Sequence, residues 1–495
     1  MGLAGLWLAM LAPVLAHGLW RPLLARLDAS GDAGWLSVAA LLVTAAALLG
    51  HARAPERAAM RWGCASATAI VAALIVGVSR PSSLAAALAL LAVAALVSWA
   101  LPIMLAQIPA QIDGPPTRGR RVAIVLMILL GSVAVIQTAR LSTFMGDAER
   151  TECVPAPLPE IMVHHSCSSA YFQAAKLAES RVDNLYEARW WPAFGENPRA
   201  DAEARAYAPF YLDTYAYPPP FLVLPRMLQV FSDAFAAQRA LWFGVNGLCL
   251  GFGLWFVGAW IGEREGRAGL RALLLGPLVW SSFPVLITLQ VGNVHMAIIT
   301  IAVLGMIAFE RERPALGGAL LAFAILAKIS PGLLGIVLLV QKRWRDALWT
   351  AGFGLVWSLA ALLLFGLAPF EAFVDYELPR LSSGEALEFF SKTTQDISFN
   401  IAPFGLPFKL EALGVHFDDV WASGARIGSI FTLLALVLTI LAGLRGGKAG
   451  RHGGAGARER WIDVGLWLAV LTLGALRSPF APLYVGFSAL WLLCL

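Results

Sequence analysis

The sequence predicts an all-α, polytopic membrane protein, and three observations carry that prediction. Of 495 residues, 59% are hydrophobic and only 14% charged, with a mean hydropathy of +0.70, whereas an ordinary globular chain carries about 25% charged residues. The apolar residues fall in runs of about 20, the length a helix needs to cross a bilayer. The runs lack the two-residue alternation of a membrane barrel, so helices, which satisfy their own backbone hydrogen bonds, are the expected spans. The net charge of +5 is spread thinly, and no basic block meets an aromatic platform, which excludes a nucleic-acid partner.

Taken in order, about fourteen runs qualify, so a bundle of about 12 to 14 transmembrane helices is expected. They lie near residues 3–20, 34–51, 63–79, 83–105, 121–142, 238–261, 270–289, 294–309, 315–328, 331–341, 346–368, 427–444, 461–476 and 480–495. The first has no charged leader and no small-residue cleavage site, and reads as a span or signal anchor. Residues 218–231 are apolar, yet hold four prolines and Arg226 in fourteen positions, so an interfacial or re-entrant helix is expected there. Around Lys328 and Pro331 two short apolar pieces suggest a helical hairpin turning near the external surface.

Cytoplasmic loops retain Lys and Arg. Basic clusters stand at Arg53/Arg57/Arg61, Arg118/Arg120/Arg121, Arg264/Arg267/Arg271, Arg311/Arg313, Lys342/Arg343/Arg345 and Arg445–Arg460, and alternation of spans places all six on one side. Residues 144–237 hold twelve acids against seven bases, and 369–424 nine against three, so these loops are read as external. Arg21 and Arg26 are an exception offset by Asp28 and Asp32. Of the five cysteines, Cys64, Cys249 and Cys494 sit in apolar runs as small hydrophobes. Cys153 and Cys167 share the first external loop, where a disulfide is open in an oxidising compartment.

Two large acidic external loops suit a membrane enzyme with an outward site. Transporters place ionisable groups at mid-span and often show two related halves; neither pattern is evident. Polar residues gather instead at external span ends: Gln290, Asn293 and His295 in LQVGNVH, Lys328 and Ser330 in AKISPG, Asp396 and Asn400 in TTQDISFN, and Arg477 in ALRSPF. A cation at a hydrophobic boundary is costly unless it meets an anion, and a lipid phosphate at headgroup depth is the obvious one. Snorkelling or a structural hydrogen bond is the alternative for each residue taken singly. Tyr207, Tyr211, Tyr215 and Tyr217 suit an interface belt or stacking on sugar rings.

The order YPPPFLVLPR, QVGNVHMAIITIAVL, ALGGALLAFAILAKISPGLLGIVLLVQKRWRDAL, QDISFN and RSPF resembles glycosyltransferase family 87, which has the GT-C fold and includes polyprenyl-phosphate-mannose-dependent alpha-mannosyltransferases. The resemblance covers about residues 121–495, with external loops 144–237 and 369–424. Residues 1–110 read as an added module of about four transmembrane helices. The resemblance implies transfer of a hexose, typically mannose, from a polyprenyl-phosphate sugar to a glycan or glycolipid acceptor. The expected setting is a bacterial inner (plasma) membrane, with the site facing the periplasm or exterior and neither cofactor nor metal. It further implies that a cation near Lys328 steadies the departing phosphate while an external carboxylate deprotonates the acceptor. Substrate-binding candidates are Lys328, Gln290, Asn293, His295, Asp396, Asn400, Arg477 and Tyr217. The chain departs from the family at Cys167, which stands where members carry an Asp before the amphipathic helix. Asp213 or His165 is then the catalytic candidate, with His164 and Glu160 open as substitutes. A lipid-linked glycan polymerase or ligase, a transporter, and a catalytically inactive member are the alternatives.

Overall fold

The computed structural model describes residues 7, 10, 11, 13–20, 118–155, 161–191, 204–262, 275–446 and 456–495. In chain order the principal helices are α1 (Arg118–Gly146), α2 (Cys167–Glu179), α3 (Val223–Gln229), α4 (Phe235–Gly262), α5 (Phe283–Val291) and α6 (His295–Glu310). They are followed by α7 (Pro314–Ala327), α8 (Gly332–Val340), α9 (Trp344–Phe365), α10 (Val420–Gly446), α11 (Ala457–Ala475) and α12 (Phe487–Cys494). Among the described residues there is no strand, only an isolated antiparallel bridge between Asn400 and Pro482. The chain divides into two units: Met1–Val163 with Leu228–Ser282, and His164–Met227 with Phe283–Leu495.

In the first unit, glycines let helices approach closely. A Cβ on Gly247 would stand 2.6 Å from Val14, and one on Gly251 2.5 Å from Leu11, the small-residue packing that membrane helices use in place of a hydrophobic drive. Trp280 Nε1 donates to Thr138 Oγ1 at 2.7 Å, which satisfies two buried polar groups inside an apolar bundle.

The second unit carries the candidate site. Three helices in the whole described chain are long and apolar enough to span a membrane: α4, α9 and the greater part of α10. The α5–α6 pair, bent by 111°, adds a fourth if counted as one broken span. This is short of the twelve to fourteen expected, because α7 and α8 have only 14 and 9 residues and the expected spans 34–51, 63–79 and 83–105 lie outside the described residues. Only 11% of the apolar window of α9 and 17% of that of α10 is buried within the protein. Leu355, Leu359, Leu363, Ile430, Leu433 and Leu441 are exposed. Such bare leucine faces on long helices belong against lipid.

Residues 314–340 form the hairpin expected from sequence. Arg343, just past α8, pairs with Glu310 at the end of α6 and with Asp346 at 2.8 Å. The 311–313 and 342–345 basic turns therefore meet at one end, while Lys328 caps the far end of α7, about 21 Å away along fourteen helical residues. α7 packs between α6 and α9, and a Cβ on Gly318 would stand 2.6 Å from the Trp349 backbone. Gly318→Ala should therefore lower stability by about 1–3 kcal/mol through overpacking. Gly352→Ala, with nothing within 4 Å, should raise it by about 0.5 kcal/mol through helix propensity. Thermal unfolding in detergent compares the two.

The 218–231 segment does not form a span. Pro219–Leu222 is a single 3-10 turn leading into the seven-residue α3, about 10 Å of helix. Phe221 and Leu222 are fully buried against α7 and α9, so the prolines shape a wedge that packs on the bundle.

Candidate active site

The site grows from the start of α2. Ser166 precedes the helix in extended conformation, and Ser169 Oγ donates to Ser166 O at 2.7 Å and to Tyr211 O at 3.0 Å. The same hydroxyl accepts from the Asp213 backbone N–H at 3.0 Å. One serine thus binds strand-like residues 211–213 to the helix start and sets Asp213 beside His165. His165 Nε2 lies 3.0 Å from Asp213 Oδ2 and 3.5 Å from Cys167 Sγ. Burial pulls the imidazole towards its neutral form, but Cys167 and Asp213 together outweigh that and hold His165 well above its ordinary range.

The bend between α5 and α6 delivers the next member. Gly292 has φ +71, a left-handed conformation that glycine adopts without strain, and the Asn293 N–H donates to Thr288 O at 3.1 Å. This is the Schellman termination of a helix, and it turns the chain sharply enough to put Asn293 at the corner. Asn293 Oδ1 accepts from the His295 N–H at 2.9 Å. Its Nδ2 donates to Tyr484 Oη at 3.1 Å and lies 3.4 Å from both Tyr217 Oη and Cys167 Sγ.

Of the four tyrosines, two belong to the core and Tyr211 and Tyr217 are half-buried. Tyr207 and Tyr215 are buried, as is Tyr171; Tyr171 Oη donates to Tyr217 Oη at 3.1 Å and Tyr186 Oη to Tyr217 O at 2.8 Å. Burial raises the Tyr171, Tyr186, Tyr215 and Tyr217 phenols well above their ordinary range, so they act as neutral hydrogen-bonding groups. Lys328 Nζ stands 5.9 Å from the Tyr217 ring centroid, and no carboxylate pairs with it among the described residues.

His165, Asp213, Tyr217, Asn293 and Lys328 are therefore brought together, with His295 next to Asn293 at the start of α6 and electrostatically coupled to Lys328. Gln290 is buried near the end of α5, two residues before Gly292. Three candidates stand elsewhere in the unit. Asp396 lies in the first turn of a short helix capped by Thr393, whose hydroxyl accepts from the Asp396 N–H at 3.1 Å and donates to Asp396 Oδ2 at 2.7 Å. Arg477 is exposed after α11. Asn400 is fully buried and spends its side chain on backbone: Nδ2 donates to Pro479 O at 2.9 Å, and Oδ1 accepts from Ala402 N–H at 2.9 Å and Ala481 N–H at 3.0 Å. It fixes the 479–482 segment that leads to Tyr484. Asn400→Ala would strand two buried N–H groups and should cost about 3 kcal/mol, read as a fall in the thermal midpoint.

Cys167, Tyr171, Ser169 and Tyr484 are members that the sequence did not single out as ligands. Cys167 was visible as the family departure; Tyr171 lies one helical turn further along α2. Tyr484 carries no local signal. Cys153 and Cys167 are both free thiols, so no disulfide joins them; Glu160 lies outside the described residues, and His164 gives its carbonyl to Tyr211 N–H at 2.9 Å.

Glu377 lies close behind the cluster, 2% exposed and electrostatically coupled to Tyr186. Burial pushes its carboxyl up, Arg380 at 3.4 Å pulls it down and Glu385 pushes it up again, leaving it at about 7 against an ordinary 4.5. Because the folded value is raised, its stabilising share is complete below pH 4.5 and is lost as pH rises through 7. Glu377→Gln should flatten the fall of the thermal midpoint between those limits.

The sequence profile described as glycosyltransferase family 87 matches residues 215–458. That region contains Tyr217, Asn293, His295, Lys328, Asp396 and Asn400, whereas His165, Cys167, Asp213, Arg477 and Tyr484 lie outside it. No curated protein and no solved structure matches the chain. Over residues 215–458, the segment that supplies the α5–α6 bend and the Lys328 hairpin, the chain belongs to glycosyltransferase family 87, and it is a membrane glycosyltransferase.

Proposed function

We propose that the protein transfers a hexose, mannose by the family resemblance, from a polyprenyl-phosphate donor to a glycan or glycolipid acceptor. The setting is the external face of a bacterial plasma membrane, in a GT-C-like bundle. The observation that carries the reading is Lys328. An ammonium without a carboxylate partner, at the tip of an apolar hairpin and on the same cluster as a His–Asp pair, calls for an anionic ligand. A lipid-linked phosphate arrives at that depth, whereas a soluble nucleotide sugar would need a nucleotide pocket. The end of α7 opposite the basic turns is the external end if those turns are cytoplasmic.

In the reaction, Asp213 takes the acceptor hydroxyl proton as its oxygen bonds to the anomeric carbon. The bond from that carbon to the phosphate oxygen breaks, and polyprenyl phosphate leaves with the electron pair, its charge met by Lys328. One displacement of this kind inverts the anomeric centre. His165 holds Asp213 in place through the contact at 3.0 Å, and Tyr217 with Asn293 lines the approach.

Purified protein supplied with radiolabelled polyprenyl-phosphate-mannose and a panel of lipid and glycan acceptors tests the reading. Label appearing in an acceptor, with inverted configuration, supports it. No donor turnover across the panel overturns it.

A further inference from the structure

We propose that His165, Cys167 and Asp213 form a three-ligand site for a divalent ion of the zinc class, with its fourth position open. Sγ, an imidazole nitrogen and a carboxylate oxygen from the three residues lie within 4.8 Å of one another. A tetrahedral ion with bonds of about 2.0 to 2.3 Å to N, O and S would set its N and O ligands about 3.3 Å apart and N and S about 3.6 Å apart. The observed separations are 3.0 Å for Nε2 to Oδ2 and 3.5 Å for Nε2 to Sγ. The two pairs on Nε2 need only a few tenths of an ångström of movement, and the third pair, Sγ and the carboxylate oxygen, lies within 4.8 Å against about 3.5 Å in a tetrahedral site. The donor set selects its class, because thiolate with imidazole favours zinc over the hard, oxygen-seeking magnesium or calcium.

Charge favours occupancy as well. A thiolate and a carboxylate neutralise a dication, so the filled site adds no net charge to a half-buried cluster. Outer groups already orient two of the three ligands, as metal sites require. Asn293 Nδ2 donates towards Cys167 Sγ at 3.4 Å. The Thr214 N–H donates to Asp213 Oδ1 at 2.9 Å, and Ser169 Oγ holds the Asp213 backbone. His165 and Asp213 keep 13% and 26% of their side-chain surface exposed, which leaves a route in and a fourth position for a water or a substrate oxygen.

Only the last role, holding a substrate oxygen, rests on the transferase reading; metal binding stands on the cluster alone. It also departs from the metal-free site expected by resemblance, and Cys167, the residue that breaks the family pattern, is its softest ligand.

The full chain in detergent, stripped with chelator and titrated with cobalt(II), gives a readout independent of turnover. One equivalent should produce a thiolate-to-cobalt charge-transfer band with four-coordinate ligand-field absorption, displaced by one equivalent of zinc. Cys167→Ser should remove the charge-transfer band, His165→Asn should weaken binding at least about tenfold, and Cys153→Ser should change neither. A wild-type protein that shows no such band, or a band that survives in Cys167→Ser, overturns the site. Donor turnover in the same stripped sample separates the two readings: turnover without a band removes the metal site and keeps the transferase, and a band without turnover in stripped or zinc-loaded protein does the reverse.

Discussion

Asp213→Asn lowers the rate of glycosyl transfer by about a thousandfold, the middle of the range a positioned general base contributes, and leaves donor affinity within about twofold. The substitution is nearly isosteric. The Asp213 backbone keeps its hydrogen bond to Ser169 Oγ at 3.0 Å, and the side-chain oxygen keeps the Thr214 N–H at 2.9 Å. Only proton acceptance and the charge pairing with His165 at 3.0 Å are lost. A steady-state comparison of kcat and KM, with a thermal midpoint to show that the variant is folded, reads the effect. An unchanged kcat would remove Asp213 from the chemistry. His165→Asn should give a smaller loss, because it leaves the carboxylate present but less firmly held.

Lys328→Met acts on both donor binding and turnover. On the proposed reading the ammonium meets the donor phosphate, and the charge it balances grows as the bond to the anomeric carbon breaks. Loss of one such preorganised group costs about 100- to 1,000-fold in kcat, and the ground-state phosphate also loses its ion pair, so donor KM rises. Methionine keeps an unbranched apolar stem of similar length without the charge that stands 5.9 Å from the Tyr217 ring centroid. Lys328→Arg, which retains the charge with a broader, planar head, should fall between the two. Equal kcat/KM in wild type and Lys328→Met would contradict the assignment.

What the sequence made legible followed from long-range physical rules with strong local markers. The basic turns at Arg311–Arg313 and Lys342–Arg345 marked one end of the bundle, and the Arg343–Glu310 pair brings them together. The short apolar pieces flanking Lys328 marked a hairpin, and the prolines of 218–231 marked a segment unable to span. The polar LQVGNVH run marked a helix end, but nothing in hydropathy gives the angle of 111°; that depends on Gly292 occupying the left-handed region and on a hydrogen bond back to Thr288.

The site was only half legible. Residue type and position near a span end are shared by ligands and by structural groups, so Asn400 and Asn293 looked alike. Tertiary contact separates them: Asn400 is consumed by three backbone partners, whereas Asn293 turns its amide towards Cys167, Tyr217 and Tyr484. Tyr207 and Tyr215 read as belt residues or sugar platforms because aromatic composition alone does not distinguish a lipid-facing ring from a buried one. Tyr484, which meets Asn293 from 191 positions away, could not be found without the fold that brings it there.

A polyprenyl phosphate bearing a photoreactive group beside the phosphate, crosslinked to the purified protein and mapped by mass spectrometry, tests the central assignment most directly. Labelled peptides should contain Lys328 or Tyr217, with labelling suppressed by excess unlabelled polyprenyl phosphate and by Lys328→Met. Labelling confined to the Arg311–Arg313 and Lys342–Arg345 end, or insensitive to competitor, would contradict it.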